Sequence, residues 1–297
     1  MKKKWIIGTR GSKLALRQTQ IALQKLQTAY PQHEFIIKTI KTTGDAIKSK
    51  PLHLIGGKGL FVKEIEEKLL SKEIDMAVHS VKDLPAELEG HLLLGAVLKR
   101  EDPRDAFISL NYAKLTELKD GSRIGTSSLR RKAQLLNKNK TLQVIPIRGN
   151  IETRLKKLKT DNLDGIILAS AGVKRLGMGK HISEIIPLDT MIPSCGQGAI
   201  GIEIRKEEET LKLLAPINDE HSFHEVAIER MLLARIGGGC HLPLGIHAAI
   251  NGNTVKLYIS MGEDNGTLFI HKLYTGNINN TDALIKKVFS KLKPDLA

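Results

Sequence analysis

Six arginines occupy positions at which a protein of alternating strands and helices would bind an anion. Each directly follows a predicted strand or lies in the first two turns of the next predicted helix: Arg10, Arg130, Arg131, Arg148, Arg154 and Arg175. That edge of an open α/β sheet is where ligands bind. A single arginine there would be expected to point into solvent or to pair with an acidic side chain. Six at equivalent positions favour an anionic ligand held by guanidinium groups.

Arg130 and Arg131 make the strongest case, because they fall in the first turn of a helix capped by Ser127 or Ser128. Cations at a helix N-terminus oppose the helix dipole. Helix N–H groups and two guanidinium groups would together hold an anion at that place. Pairing with an aspartate or glutamate of the protein itself is the alternative.

One carboxylate is conspicuous among these cations. Lys82 and Asp83 are adjacent in the segment 79–85, directly after a predicted buried strand at 74–78. An ionised aspartate in an arginine-rich cleft could stabilise a positive charge that forms on an otherwise anionic substrate. The alternative is an ion pair on a surface loop, which would contribute little.

Cys240 follows the glycines at 237–239, which allow a bulky group close to the backbone. A structural zinc ion could recruit Cys240 with His221, His224 and His241, although this spacing matches no standard zinc site. A nucleophilic or covalently modified thiol fits a glycine loop better.

A second glycine-rich segment, at 56–59, contains Lys58 and resembles a phosphate-binding loop. It lacks the G-x-x-x-x-G-K-[ST] spacing of that loop, so a nucleotide site is not predicted. A mobile loop over the cleft and a tight turn are both compatible with the segment.

The scaffold for these residues is predicted to alternate strands with helices, as in α/β proteins. Strands are predicted at 5–8, 35–40, 74–78, 124–125, 142–147, 165–169 and 199–205. Helices are predicted from Ser12, over 60–70, from Leu129 and over 151–158. A capping box from Ser222 to Glu225 is predicted to open a further helix, followed by three hairpin-linked strands and a helix at 281–292. The predicted domains are 1–99 plus 196–216, 100–195, and 217–297.

Composition narrows the function classes. The 297 residues include 46 Lys and Arg against 32 Asp and Glu, a net charge of +14, which points to an anionic partner. Scattered lysines and only 4% aromatic residues argue against a nucleic-acid binder. A two-domain protein that binds an anion reversibly remains the alternative to an enzyme.

The same composition bears on location. No apolar run approaches the roughly 18 residues of a membrane span, and the apolar segment at 5–7 is too short for a signal peptide. Two cysteines cannot form a disulfide framework, which suits a reducing compartment; Cys195 is predicted to be a small packing residue. We therefore expect a soluble, cytoplasmic protein.

Eight short segments occur in an order that resembles one family. They are GTRGSKLAL at 8–16, GGKGLFVKE at 56–64, AVHSVKDLP at 77–85, EDPRDAF at 101–107, GTSSLRR at 125–131, RGN at 148–150, GQGAIG at 196–201 and GGC at 238–240. Over essentially the whole chain the sequence is similar to the hydroxymethylbilane synthases, also called porphobilinogen deaminases. Leu54 stands where some members of that family have a basic residue.

The resemblance implies a fold of two α/β domains like type-II periplasmic binding proteins, followed by a small α+β domain with a three-stranded antiparallel sheet. It implies a transferase that deaminates four porphobilinogen molecules, joins them head to tail on a dipyrromethane cofactor, and releases hydroxymethylbilane. The cofactor would be attached to Cys240 by a thioether. No metal, nucleic-acid partner or membrane partner is implied, and we expect a monomer.

The resemblance also assigns residues. Asp83 is the expected catalytic carboxylate. The expected cofactor-binding residues are Cys240, Lys82, Ser128, Arg130, Arg131 and Arg154. The expected substrate-binding residues are Arg10, Ser12, Lys58, Arg148 and Arg175. Each pyrrole ring carries an acetate and a propionate, so a cleft dense in arginine suits this chemistry.

Overall fold

The computed structural model describes residues 3–46, 62–237 and 242–292. The strands are β1 (Lys4–Arg10), β2 (Glu34–Ile40), β3 (Met76–Ser80), β4 (Leu92–Val97), β5 (Asp105–Ile108), β6 (Arg123–Gly125), β7 (Gln143–Ile145), β8 (Gly165–Ala169), β9 (Glu184–Ile185), β10 (Ile200–Arg205), β11 (Leu244–Asn251), β12 (Thr254–Gly262) and β13 (Leu268–Asn277). The helices are α1 (Lys13–Ala29), α2 (Thr43–Ala46), α3 (Lys63–Leu70), α4 (Leu129–Lys138), α5 (Ile151–Thr160), α6 (Ser170–Arg175), α7 (Glu208–Leu214), α8 (Glu220–Ile236) and α9 (Thr281–Leu292).

The chain divides into two compact units. The first unit contains residues 1–101 and 199–224, and the second contains 102–198 and 225–297. The second α/β sheet and the C-terminal sheet therefore belong to the same unit. The predicted domain boundaries at 99, 195 and 216 remain predictions.

The first unit is built on a five-stranded sheet of order β2-β1-β3-β10-β4. Strands β1, β2 and β3 are parallel, whereas β10 is antiparallel to both β3 and β4. Helix α1 packs on this sheet, with Thr19, Ala22 and Leu26 on its buried face as their spacing predicts. The strand predicted at 199–205, which is β10, thus lies within the first sheet.

The second α/β sheet, in the second unit, repeats the same pattern in the order β7-β6-β8-β5-β9. Strands β6, β7 and β8 are parallel, and β5 is antiparallel to both β8 and β9. The fourth strand, β10 in the first sheet and β5 in the second, is antiparallel to both of its neighbours. It is the first strand after the chain passes from one unit to the other. The alternating pattern predicted β10 and the parallel strands of both sheets. It missed β4, β5 and β9, because no helix separates β4 from β5 and β9 has only two residues.

The C-terminal part of the second unit is an antiparallel sheet of order β11-β12-β13 with helix α9 packed on it. Its apolar core includes Ile246, Leu257, Ile285 and Cys195, so Cys195 is the packing residue that the sequence predicts. The predicted fold class, two α/β sheets followed by a three-stranded antiparallel sheet, is confirmed.

The N-terminus of α8 differs from the prediction. The helix begins at Glu220, and Asp219 Oδ1 accepts a hydrogen bond from the backbone N of Ser222 at 2.9 Å. Ser222 is therefore inside the first turn, and its Oγ accepts from the backbone N of Arg100 instead. Aspartate and serine are equally good helix caps, so the local sequence did not show which of Asp219 and Ser222 caps α8. Among the described helices, none is both long enough and apolar enough to span a membrane.

Candidate active site

In the first unit, three predicted site residues line one cavity of about 60 Å³. Arg10 is the last residue of β1, and Ser12 caps α1 by accepting a hydrogen bond from the backbone N of Ala15 at 3.2 Å. Asp83 ends the 3₁₀ turn Val81–Asp83, which directly follows β3. Because β1 and β3 are parallel neighbours, their carboxyl ends meet at one edge of the sheet and bring these residues together.

The Asp83 carboxylate is loosely paired. Its Oδ2 lies 3.8 Å from Nη1 of Arg10, and the two side chains are 36% and 20% exposed. No closer ion pair or hydrogen bond of the Asp83 carboxylate occurs within the described residues. Asp83 thus retains hydrogen-bonding capacity for a ligand. Lys82 precedes it in the same turn, with its side chain partly buried.

Behind this cavity lies a buried cluster that the sequence analysis missed. His79, which lines the cavity, places Nε2 3.0 Å from Oε2 of Glu203 on β10, and both side chains are buried. Burial and the charge of Glu203 raise the pKa of the neighbouring Glu66 to about 7, although His79 acts in the opposite direction. The available sequence signal was a glutamate inside the apolar strand IGIEIR.

In the second unit, Arg130 and Arg131 converge on one carboxylate, that of Asp105. Arg130 Nη1 donates to Asp105 Oδ2 at 2.8 Å, and Arg131 donates to Asp105 Oδ1 through Nε at 3.0 Å and Nη2 at 2.7 Å. The remaining bonds go to backbone oxygens, from Arg130 Nη1 to Ile192 at 2.6 Å and from Arg131 Nη1 to Ile167 at 3.0 Å. The internal pairing that the sequence left as an alternative is therefore present. Cofactor binding by these two arginines remains a prediction.

Asp105 is fully buried at the start of β5. Burial alone would raise the pKa of Asp105, but the charges of Arg130 and Arg131 hold it well below its ordinary value. Gln197 Nε2 also donates to Asp105 Oδ1 at 3.0 Å. Two guanidinium groups meet one carboxylate here, so the cluster keeps one positive charge in excess. Asp105 lies in the EDPRDAF segment, which the sequence analysis quoted without giving it a role.

Arg148 and Arg154 extend the positive charge of this unit. Gly149, with a φ of 111°, turns the chain between β7 and α5, and its carbonyl accepts a hydrogen bond from Arg154 Nε at 2.8 Å. Burial, together with the charges of Arg131 and Arg148, lowers the pKa of Arg154 to about 10. Nη2 of Arg148 is buried and makes no hydrogen bond within the described residues. An external anion would satisfy this donor, and the neighbouring positive charges would favour such an anion.

Two further predicted residues lie at helix ends in this unit. Ser128 caps α4, and its Oγ accepts a hydrogen bond from the backbone N of Arg131 at 3.4 Å. Arg175 lies in the last turn of α6 and donates through Nη2 to the carbonyl of Gly198 at 2.6 Å. The serine is placed as the sequence predicts, whereas Arg175 lies at the C-terminal end of its short helix, where a cation is favourable.

Three residues of the sequence analysis, Lys58, Leu54 and Cys240, lie outside the described residues. His241, part of the zinc alternative, does so as well. Within the described part of the chain, no group of three or more His, Cys, Asp and Glu side chains is arranged to hold a metal ion.

Similar solved structures include periplasmic binding proteins. A periplasmic substrate-binding protein of an ABC transporter from Coxiella burnetii matches 76% of this chain and 96% of its own, with 15% identity and a TM-score of 0.45. A nutrient-binding protein from Burkholderia cenocepacia, bound to methionine, matches 71% of this chain and 90% of its own, with 11% identity and a TM-score of 0.43.

The curated relatives found by sequence share far more identical residues with this chain than these solved structures do. Residues 5–213 match the model of the porphobilinogen deaminase dipyrromethane-cofactor-binding domain, and residues 223–294 match that of the porphobilinogen deaminase C-terminal domain. The porphobilinogen deaminase of Geobacter metallireducens is 45% identical over 97% of this chain and 91% of its own length. That of Trichlorobacter lovleyi is 50% identical over 84% of this chain and 80% of its own. The chain belongs to the porphobilinogen deaminase family.

Proposed function

We propose that Asp83 is the catalytic carboxylate of this family member, and that its arginines bind the carboxylates of substrate and cofactor. The protein is a transferase of tetrapyrrole biosynthesis, which deaminates porphobilinogen and joins four molecules into hydroxymethylbilane. The observation that carries the residue assignment is the cavity that Asp83 shares with Arg10 and Ser12 at the end of β1 and β3.

The charge of Asp83 suits the chemistry of deamination. Loss of ammonia leaves a positive charge on the substrate, and a carboxylate at hydrogen-bonding distance would stabilise it. The same oxygens can accept hydrogen bonds from pyrrole N–H groups and help to move protons as ammonia and the α-hydrogen leave. Arg10, 3.8 Å from Asp83, would bind a carboxylate of the substrate.

The second unit offers a set of donors that fits a dipyrromethane. Such a group carries four carboxylates, two on each ring. In this unit Arg130 and Arg131 bind the carboxylate of Asp105, and the charges of Arg131 and Arg148 act on Arg154. The buried Nη2 of Arg148, which makes no hydrogen bond within the described residues, supports the fit because an external carboxylate would satisfy it.

The residues that would hold the dipyrromethane carboxylates are Ser128, Arg130, Arg131, Arg154 and Lys82, with Cys240 as the point of attachment. When bound, the group supplies the free pyrrole α-carbon to which substrate units are added. Arg148, Arg175, Ser12 and Lys58 are assigned to substrate carboxylates together with Arg10.

The experiment is an intact-mass measurement of the purified protein. The mass is expected to exceed the sequence mass by two linked pyrrole units, and Cys240→Ser is expected to remove this excess. The chain offers a matched control in its only other cysteine: Cys195→Ser changes a packing residue and should keep the added mass. A wild-type protein from a competent host that shows no added mass would overturn the assignment of Cys240.

We further propose that the protein acts as a monomer in the cytoplasm, without nucleic-acid or membrane partners. A small-molecule substrate with several carboxylates accounts for the positive charge clustered in the second unit. Light scattering should give the mass of one chain, and a duplex DNA titration at low salt should show no saturable binding. A dimer mass or a tight, salt-sensitive complex would contradict the proposal.

A further inference from the structure

We propose that Asp105 is a positioning residue: it fixes the guanidinium groups of Arg130 and Arg131 in the orientation in which they receive carboxylates of the cofactor. The inference rests on the proposed function, and Asp105 itself would touch neither cofactor nor substrate.

The hydrogen bonds of Asp105 hold both guanidinium groups in place. Two neighbouring guanidinium groups repel each other, and Asp105 Oδ1 and Oδ2 hold one each, at 2.7 Å and 2.8 Å. Backbone carbonyls of Ile192 and Ile167 accept from the same guanidinium groups. Each arginine is thus fixed from two sides before any ligand arrives, which is the condition for a preorganised binding site.

Part of the hydrogen-bond donor capacity of Arg130 remains available to a ligand. All hydrogen bonds of the Arg130 side chain within the described residues use Nη1, so its Nε and Nη2 keep their donor capacity. The cluster holds two cations and one carboxylate, and its surplus charge acts on Arg154, whose pKa is lowered by burial and by the charges of Arg131 and Arg148. A buried cluster with excess positive charge is stabilised when an external anion binds.

Asp105 itself is held as firmly as the arginines that it orients. Gln197 Nε2 bridges Asp105 Oδ1 at 3.0 Å and the carbonyl of Pro103 at 2.7 Å. One residue earlier, the backbone N of Gly196 donates to the buried carboxylate of Glu229 at 2.6 Å. The segment around Gln197 therefore anchors Asp105 to helix α8 and limits its movement.

Stability alone does not explain this arrangement. Replacing a buried ion pair by apolar side chains of similar volume is often neutral or stabilising. If this position needed only packing, apolar side chains would stabilise the fold at least as well as the charged cluster. Binding of an anionic ligand explains better why two arginines share one aspartate.

The experiment measures cofactor loading by intact mass in Asp105→Asn, Arg131→Gln and the double variant. The loaded fraction relative to wild type is expected to fall about tenfold in Asp105→Asn, the size of losing one charge-assisted hydrogen bond. If Asp105 acts through Arg131, the double variant should load no worse than the worse single variant. The matched control is Asp102→Asn, since Asp102 also binds an arginine, Arg104, at 2.8 Å in the same segment.

The outcomes separate the two proposals. Wild-type protein without added mass overturns the cofactor assignment itself. Wild-type loading in Asp105→Asn, with only lower thermal stability, assigns Asp105 a structural role and overturns the positioning proposal, as do additive losses in the double variant. If Asp105→Asn does not fold, Gln197→Leu removes one donor to Asp105 without stranding a charge. Reduced loading in that variant supports the proposal, and full loading overturns it.

Discussion

The two units each contain an aspartate paired with arginine, and the two pairs are built for different tasks. In the first unit, Asp83 and Arg10 are 3.8 Å apart and their side chains are 36% and 20% exposed. In the second, Asp105 is fully buried, with Arg130 at 2.8 Å and Arg131 at 2.7 Å. The same residue types thus form an open pair in one unit and a closed cluster in the other.

A reacting carboxylate and a supporting one differ in how much of their hydrogen-bonding capacity the protein already uses. Asp105 accepts four side-chain hydrogen bonds, from Arg130, Arg131 and Gln197, and is fully buried, so little of its capacity is left for a substrate. Asp83 has the weaker partner and the open cavity. Unused hydrogen-bonding capacity beside a cavity, rather than the presence of an ion pair, points to chemistry.

Replacing the open carboxylate should have the largest effect. Asp83→Asn keeps the shape of the side chain but removes its charge and its proton-accepting ability, so we expect kcat to fall by about 10²–10⁴-fold. The free energy of unfolding should change by less than about 1 kcal/mol, because the lost ion pair is exposed. Steady-state assays and urea unfolding measure the two quantities. Glu87→Gln, an exposed glutamate four residues later, is the control; a near-normal rate in Asp83→Asn would remove Asp83 from its role.

Replacing the closed carboxylate should affect the stability of the fold in addition to cofactor loading. Asp105→Asn leaves two buried guanidinium groups without their counter-charge, and we expect the free energy of unfolding to fall by about 3–5 kcal/mol. Urea unfolding followed by circular dichroism provides the measurement, with Asp102→Asn for comparison. A loss below about 1 kcal/mol would show that the buried cluster is no more stabilising than an exposed pair.

The carboxylate of Glu66 tests how burial changes a pKa where no arginine is among the groups that shift it. The pKa of Glu66 is raised to about 7 from its ordinary 4.5. The folded state therefore binds more protons than the unfolded state between these values, and stability falls as pH rises from 4.5 to 7. Glu66→Gln removes this cost, so its free energy of unfolding relative to wild type should rise by roughly 3 kcal/mol between pH 4.5 and pH 8. Glu67→Gln, exposed on the same helix, should show no such pH dependence; an unchanged slope in Glu66→Gln would contradict the raised pKa.

The smallest effect on stability is expected for the arginine of the open pair. Arg10→Gln should lower the free energy of unfolding by less than about 1 kcal/mol while it raises KM, because its partner Asp83 can be solvated. Arg131→Gln leaves Asp105 buried with one cation fewer and should be the more damaging change to the fold. Parallel denaturation and kinetic measurements on the two variants make the comparison. Equal losses of stability would mean that burial does not distinguish the two pairs.

Local patterns predicted the elements whose signal lies within a few residues. The apolar run at 165–169 is β8, and the amphipathic stretch at 281–292 is α9, both with the predicted bounds. The start of α8 was wrong by a few residues, since Asp219 and Ser222 both have the chemistry of a cap. Strand β5, only Asp105–Ile108, was missed because its place between β8 and β9 depends on partners far away in sequence.

Eight ordered segments were enough to identify the family, and local patterns were enough to place Asp83 and the arginines after strands. Which of these charges are already neutralised follows only from the folded arrangement. Asp105 stands 25 residues before Arg130, and no local spacing reveals that they share a hydrogen bond. The physical reason is that burial and pairing, which set the energy of a charge, arise from contacts between distant parts of the chain.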